Sequence, residues 1–136
     1  MSEIVRFGVS LDKDFLEKFD ALIEREGYTN RSEAIRDLIR ERFARREWEC
    51  GREVVGAIAL VYDHHYSNLV QTLMDVQHKH PKIISTTHIH ISHNNCLEII
   101  AVRDKSKNIT DLAHKLKSVK GVKHCDVAMC SLAKDM

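Results

Sequence analysis

The stretch IVRFGVSL, residues 4–11, decides how the first part of the chain folds. Its apolar side chains alternate with the others, which is the period of a half-buried β-strand. One face would carry Val5, Phe7, Val9 and Leu11, and the other Arg6, Gly8 and Ser10. A lone strand leaves its backbone groups and its apolar face without partners. Pairing with the same strand of a second chain is the simplest remedy, and we therefore expect an obligate dimer.

Two amphipathic helices are expected after this strand. Asp12 is an N-cap residue for the first, and Gly27 favours a left-handed stop. Asn30 and Glu33 have the spacing of a capping box at the start of the second. The apolar positions of the two helices are Phe15, Leu16, Phe19, Leu22 and Ile23, then Ala34, Ile35, Leu38, Ile39 and Phe43. The predicted order is strand, helix, helix.

This order, together with residues 6–10 and the run NRSEAIRD at residues 30–37, resembles a ribbon-helix-helix DNA-binding domain. In that family the paired strands lie in the major groove of double-stranded DNA, which admits a two-stranded ribbon. The resemblance therefore implies base contacts from the outward residues Arg6, Gly8 and Ser10.

The resemblance also implies a phosphate contact at the start of the second helix. Free amides near Thr29 and Asn30 would hold a backbone phosphate through the helix dipole. Two other interpretations stay open. Arg6 and Ser10 are merely solvated in one of them, and in the other the two helices form a helix-turn-helix around Gly27. The leading strand argues against the second alternative.

A different pattern begins after residues 48–52, and we predict domains at residues 1–50 and 51–136. A strand is expected over 54–62, then a helix that Ser67 caps and that stops before Pro81. Strands over 83–91 and 96–102 flank a turn, a helix opens at Thr110 and ends at Gly121, and a strand covers 122–129. The order βαββαβ is typical of the ferredoxin-like sandwich, of which ACT domains are one variety. The fold class is α+β.

The histidines are distributed unevenly along the chain. Of nine, none precedes residue 64 and seven lie between His64 and His93. His88 and His90 would project from one face of a strand, and an odd hairpin loop would bring Cys96 to the same face. Two imidazoles and a thiolate suit nickel, copper or zinc rather than magnesium or calcium. His78 is the leading fourth ligand, from the same chain or a neighbour.

A simpler interpretation of the same residues is also open. His88, His90 and His93 can be the outward half of an alternating strand, with Cys96 as a small apolar filler. The remaining histidines are expected mostly on the surface or in packing, with weak metal potential. They are His64, His65, His114 and His124.

The segments His88-Ile89-His90 and Cys96-Leu97-Glu98 resemble the HxH…CLE signature of the nickel-responsive regulators, the NikR family. The resemblance implies a square-planar nickel ion held by two histidines and a cysteine of one subunit and a histidine of another. Here these are His88, His90, Cys96 and His78. The span from His78 to His88 is one residue shorter than is usual in the family, so His80 is a rival fourth ligand.

The family resemblance implies further site residues. Tyr62 and Gln77 would lie next to the metal ligands. Glu33 and Asp37, four residues apart on the second helix, resemble a second cation site at the junction between the domains. Ion pairs with neighbouring arginines are the alternative role for these two carboxylates.

The function implied is nickel-responsive repression by a homotetramer, a dimer of dimers that binds the operator of nickel uptake genes. Two alternatives are an ACT-type regulator sensing a small organic molecule, and a metal-storage protein without a DNA response. The chain lacks an HExxH motif, a phosphate-binding glycine loop and a recognisable nucleophile–base pair, so an enzyme is not expected.

Composition limits the other classes of function. The formal charge of +1 gives no global field for nucleic acid or membranes, so any such binding is local. The longest apolar stretch, residues 54–62, is too short to cross a bilayer, and no signal peptide begins at Met1. Four cysteines without a CxxC pair favour reduced thiols. We expect a cytoplasmic protein.

Overall fold

A computed structural model describes residues 3–134 and 136 of the chain. Met1 and Ser2, where a signal peptide would begin, lie outside the described residues. The chain divides into two compact units, Met1–Arg40 and Glu41–Met136. Within the described ranges, no helix combines the length and the apolar character that crossing a membrane requires.

The first unit contains the predicted helices but not the predicted strand. Residues 3–12 have no regular secondary structure, and Val5, Phe7 and Val9 are 78%, 71% and 63% exposed. The expected strand over residues 4–11 is therefore not formed in the single chain. The physical reason is that a strand needs a neighbour for its backbone hydrogen bonds, and one chain offers none here.

Both helices begin where their caps predict. The first, α1, covers Lys13–Arg25 after Asp12, and Gly27 has a φ of +87°. The second, α2, covers Arg31–Glu49, and the Asn30 side-chain oxygen accepts a hydrogen bond from the Glu33 amide at 2.9 Å. The residues that favour a helix start in the sequence therefore precede the first residues of both helices in the structure.

The division between the two compact units falls inside α2, after Arg40. Near the end of the helix, Trp48 is buried in the core of the second unit, and its indole nitrogen donates a hydrogen bond to the Cys130 carbonyl at 2.9 Å. The predicted boundary at residue 50 stays a prediction.

The second unit has the predicted βαββαβ order. Its elements are β1 Glu53–Asp63, α3 Leu69–His78, β2 Ile83–His90, β3 Asn95–Lys105, α4 Ser106–Lys117 and β4 Val122–Cys130. The strands pair antiparallel in the spatial order β2-β3-β1-β4. This order is that of the ferredoxin-like sandwich, so the predicted α+β fold is confirmed.

Two helix starts in this unit differ from the expectation. The α4 helix begins at Ser106 rather than at Thr110, because the Thr110 hydroxyl donates back to the Ser106 carbonyl as an interior helical residue does. The α3 helix begins after Asn68, which has a left-handed φ of 61°, rather than after Ser67. In both cases the helix start was predicted at a serine or threonine, and the structure has it at a different residue.

The two faces of the sheet have different surroundings. On the face towards the helices, Ile58, Leu60 and Ile100 are fully buried, together with Ile109 and Leu116 of α4. The other face carries small and branched apolar side chains that stay half-buried or exposed. They are Val55, Ala57, Ala59, Val61, Leu97, Ile99 and Ala101. One chain therefore covers only one side of its sheet.

Candidate functional site

The β2–β3 hairpin brings His90 and Cys96 directly opposite each other. Their Cα atoms are register partners, with residues 91–95 between them. Five intervening residues make the odd connection that a shared face requires. His88 lies opposite Glu98 in the same register. The hairpin therefore places the histidine and cysteine residues of the signature on one face of the sheet.

A second histidine joins this pair. The Cys96 Sγ lies 3.4 Å from Nδ1 of His90 and 3.4 Å from Nδ1 of His64. The three ligand atoms all lie within 4.8 Å of one another, and Cys96 is buried. Two imidazoles and a thiol converging in this way are a metal-binding donor set.

The position of His64 follows from the strand order. β1 lies beside β3, with Tyr62 opposite Cys96, so the residues after β1 reach the end of the hairpin. The His64 amide donates a hydrogen bond to the Asn94 carbonyl at 3.0 Å, which ties this turn to the hairpin loop. Desolvation, and then the neighbouring His65 and His90, lower the His64 pKa. A lowered pKa favours the neutral imidazole, which is the form that binds metals.

His88 is engaged by other residues of its own chain. Its Nε2 lies 2.9 Å from Oε1 of Glu98, and its Nδ1 lies 3.0 Å from the Tyr62 hydroxyl. Gln77 donates a second hydrogen bond to the same Glu98 oxygen at 3.3 Å. Burial, and then the charges of Glu98 and Cys96, raise the Tyr62 pKa, so the phenol stays protonated. Both ring nitrogens of His88 thus have partners.

Glu98 is a buried carboxyl group with an incomplete set of partners. Its residue is 2% exposed, and among the described residues its Oε2 has no hydrogen-bond partner. A buried unpaired carboxylate oxygen is costly. Glu98 also lines an open cavity of about 480 Å³ with His78 and His88. A polar or cationic group entering this cavity would find an acceptor.

The two rival fourth ligands lie apart from the His64, His90 and Cys96 group. His78, the last residue of α3, is exposed and lines the cavity beside Glu98. His80 lies close to Asp104, with Nε2 at 3.6 Å from Oδ2. The structure therefore brings together two of the four predicted ligands, His90 and Cys96, and leaves His78 and His88 on the neighbouring cavity.

These residues fit a nickel ion in their chemistry. Neutral imidazoles and a thiolate are borderline-soft donors that nickel accepts. Sγ of Cys96 and Nδ1 of His90 already lie 3.4 Å apart, and His78 is exposed at the end of α3. His78, His90 and Cys96 would hold the ion together with His88 if His88 exchanged Glu98 or Tyr62 for it.

The proximity of His64 to Cys96 was not predicted from the sequence, where His64 was expected on the surface or in packing, with weak metal potential. A signal was nevertheless available. In the ferredoxin-like order β1 is the neighbour of β3, so the residue after β1 ends beside the first residues of β3. The fold pattern and the histidine pattern together would have pointed to it.

The predicted DNA-binding residues of the first unit are all exposed. They are Arg6, Gly8, Ser10, Thr29 and Asn30. Of the predicted second cation site, Asp37 is already bonded within the chain. Its two oxygens accept hydrogen bonds from the Tyr28 hydroxyl at 2.7 Å and from Arg40 at 3.0 Å. Glu33 is exposed one turn earlier on α2.

Two family models match the chain in the places that the fold suggests. Residues 5–46 match the ribbon-helix-helix protein, copG family, and residues 55–130 match the NikR C-terminal nickel-binding domain. A DNA-binding unit joined to a metal-binding domain defines the class of metal-responsive transcription regulators. The chain belongs to the NikR family of nickel-responsive regulators. Nickel is the metal ion that this regulator binds, and the chain is not an enzyme.

Relatives of similar length support this membership. A "Putative nickel-responsive regulator" of Syntrophus aciditrophicus is 53% identical over 125 residues, which cover 91% of each chain. One of Pyrococcus furiosus is 50% identical over 135 residues and 98% of each chain. Among solved structures, the uncharacterized protein TM1266 from Thermotoga maritima matches 57% of this chain and 96% of its own, with a TM-score of 0.51 and 13% identity. That likeness concerns the fold alone.

Proposed function

We propose that this regulator binds operator DNA when nickel is bound and thereby represses nickel uptake genes. The observation that carries the proposal is the convergence of His90 and Cys96 in a chain whose other unit is of the ribbon-helix-helix type. Metal binding and DNA binding in one chain couple when the ion has different affinities for two arrangements of the assembly. The place of action is the cytoplasm, where the operator is accessible.

The nickel ligands in this proposal are His88, His90 and Cys96 of one subunit and His78 of another. In the single chain, His78 is exposed at the end of α3, where it is accessible to a neighbouring subunit. A ligand from a second subunit makes the ion a link between chains. Occupancy then biases the relative placement of the DNA-binding units.

The assembly in this proposal is a dimer of dimers. Residues 4–11 of two chains pair as a ribbon, which gives the exposed Val5, Phe7 and Val9 a shared interior. Contiguous apolar surface of this kind marks an interaction site. The uncovered sheet face of the second unit, with Ile99 at 36% exposure, is the surface through which the dimers join.

The DNA contacts come from the first unit. Arg6, Gly8 and Ser10 occupy the face of the ribbon opposite its apolar side, so they meet the base edges in the major groove. Thr29 and Asn30 precede α2, whose first amides hold a phosphate. Glu33 and Asp37 hold a second cation in this proposal, which requires Asp37 to exchange Tyr28 or Arg40 for the ion.

Replacement of the thiol tests the metal dependence. In Cys96→Ala, nickel-stimulated binding to an operator selected from a random duplex pool is expected to disappear, because the planar site loses its sulfur. Cys50→Ala is the matched control, since Cys50 is exposed and far from the hairpin in sequence. A mobility-shift titration with nickel measures both. Equal stimulation in Cys96→Ala and wild type would refute the ligand assignment.

Replacement of the expected base-reading arginine tests the DNA surface separately. Arg6→Ala is expected to reduce the difference in binding free energy between the operator and unrelated DNA by about 1–3 kcal/mol. This is the typical discrimination that one bidentate base contact provides. Nickel affinity, measured by calorimetry, should stay unchanged. A variant that keeps its full preference would show that Arg6 only contacts solvent.

A further inference from the structure

We propose that Trp48 is a positioning residue that fixes the end of α2 to the second unit, so that nickel-dependent changes reach the DNA-binding residues through this helix. The helix starts in the first unit, and its last residues, from Glu41 onwards, belong to the second. The inference rests on the proposed function in one respect, because it assumes that nickel changes operator binding. The contacts of Trp48 do not depend on that assumption.

The indole ring of Trp48 is held between strands of the sheet. The residue is 8% exposed and belongs to the core of the second unit. Its Nε1 donates a hydrogen bond to the carbonyl of Cys130, the last residue of β4, at 2.9 Å. On β1, a Cβ at Gly56 would lie 3.1 Å from Cη2 of the indole. Glycine at this position therefore leaves the space that the ring occupies.

The backbone at the end of α2 is held as well. The last carbonyls of a helix have no partner within the helix. Here the Trp48 carbonyl accepts a hydrogen bond at 2.8 Å from the hydroxyl of Ser106, a buried residue that begins α4. One residue earlier, a carboxylate oxygen of Glu47 accepts a hydrogen bond from the Ser131 hydroxyl at 2.8 Å. The end of α2 is thus bonded to two other parts of the second unit.

The rest of α2 contains no residue type that favours a bend. Neither glycine nor proline occurs in Arg31–Glu49, and sharp kinks in helices arise mostly at such residues. Points at which an element pivots have few buried contacts, whereas the end of this helix has a buried ring and a buried hydrogen bond. A straight helix that is fixed at one end passes a change in orientation along its length.

These contacts lie far from the proposed nickel ligands. Gly56, beside the indole, is near the start of β1, whereas Tyr62 near its end is the register partner of Cys96. Six residues of strand span roughly 20 Å. A substitution at Trp48 therefore leaves the ligands in place, and nickel affinity can be measured separately from the effect of nickel on operator binding.

Replacement of the tryptophan tests its positioning role. Trp48→Phe, in the full-length protein, keeps an aromatic ring but loses the indole N–H and part of the packing. Nickel affinity, measured by calorimetry, should equal that of wild type. The ratio of operator affinities with and without nickel, measured by mobility shift, should fall at least about fivefold, because couplings between sites are typically about 5- to 150-fold. A wild-type ratio in this variant overturns the proposal.

A core substitution away from α2 is the matched control. Leu116 is fully buried on α4, ten residues after Ser106 and so roughly 15 Å along the helix. Leu116→Val removes apolar volume from the same core without touching the end of α2, and its ratio should be that of wild type. An equal fall in Leu116→Val would show that any loss of packing has this effect, which overturns the specific role of Trp48.

A fluorescence measurement keeps the test independent of how well Trp48→Phe folds. Trp48 is the single tryptophan of the chain, so its emission reports the fixed end of α2 directly. In wild type, quenching by iodide should be weak and should stay weak when nickel and operator are added. In Gly56→Ala, the added Cβ crowds the ring, so quenching should increase and the affinity ratio should fall.

The two measurements distinguish this inference from the proposed function. Wild-type operator binding that does not respond to nickel contradicts the proposed function. Strong quenching of Trp48 in wild type, or quenching that rises when nickel or operator is added, instead shows that the ring leaves its position. That result overturns the role of Trp48 whether or not nickel changes operator binding.

Discussion

At the scale of single residues, the partners of a side chain decide its chemistry. His64 and His88 are the same residue type at the same end of one sheet. His64 faces a thiol, whereas His88 is held between a phenol and a buried carboxylate. Glu98 therefore orients His88 in the single chain, and within the described part of the chain its Oε2 has no hydrogen-bond partner. The environment, rather than the residue type, distinguishes the two roles.

A prediction at this scale concerns the Asp37 carboxylate. Its hydrogen bond from Tyr28, and then that from Arg40, lower the Asp37 pKa, although desolvation opposes the shift. In Tyr28→Phe the carboxylate loses its largest source of stabilisation, so its pKa should rise towards the ordinary value. Carbon-13 NMR of the carboxyl group measures the change. The Tyr66→Phe variant is the control.

The sign of the stability change follows from the same shift. A carboxyl group with a lowered folded pKa stabilises the fold above its unfolded pKa, and this contribution disappears as pH falls through the folded value. Tyr28→Phe should therefore be less stable than wild type at neutral pH and converge with it in acid. Thermal unfolding at the two pH values checks this. An unchanged Asp37 pKa would contradict the assignment.

At the scale of elements, the turns rather than the strands place the site. The five-residue connection between His90 and Cys96 sets the shared face, and the turn after β1 delivers His64. The turn before β4 lies against Tyr66 and Leu69, which follow β1 in the chain. Gly121 has a φ of +100°, and a Cβ there would lie 2.9 Å from Cγ of Tyr66. Glycine is needed at this position for both conformation and space.

Substitution of this glycine is a prediction at the same scale. Gly121→Ala should destabilise the second unit by the left-handed strain of about 1–2 kcal/mol plus about 1–3 kcal/mol for the crowding at Tyr66 and Leu69. Gly51→Ala is the matched control, because Gly51 has a φ of +69° but open space around it. Urea unfolding followed by circular dichroism measures both. Equal losses in the two variants would show that crowding contributes nothing.

At the scale of the whole molecule, the structure of one chain is incomplete in two places. Residues 3–12 have no strand partner, and one face of the sheet is uncovered. Exposed apolar side chains at both places are consistent with an assembly that buries them. The proposed nickel ligands divide in the same way, since His78 lies apart from His90 and Cys96.

A charge on the apolar side of the proposed ribbon tests the assembly. Val9→Asp would bury a carboxylate in the dimer, and we expect it to halve the sedimenting mass of the wild type because an unpaired buried charge is costly. Ser10→Asp is the control, since its side chain belongs to the opposite face. Analytical ultracentrifugation distinguishes the two. An unchanged mass in Val9→Asp would exclude residues 4–11 as the dimer contact.

The sequence by itself determined the local structure and the order of the elements. The caps at Asp12 and Asn30, the stop at Gly27 and the alternation in β1 and β3 are signals read within a few residues, so the helices and the βαββαβ order were predictable. The two-residue period of a strand showed that His90 and Cys96 share a face only if an odd number of residues connects them, and the structure has five there.

Only the tertiary structure decided which side chains meet. His64 reaches Cys96 because β1 lies beside β3, and this contact joins residues that are far apart in the sequence. The occupation of His88 by Tyr62 and Glu98 depends on the same sheet order. The strand over residues 4–11 fails to form for the complementary reason. Its apolar pattern is local, but its hydrogen bonds must come from another strand, and one chain does not supply it.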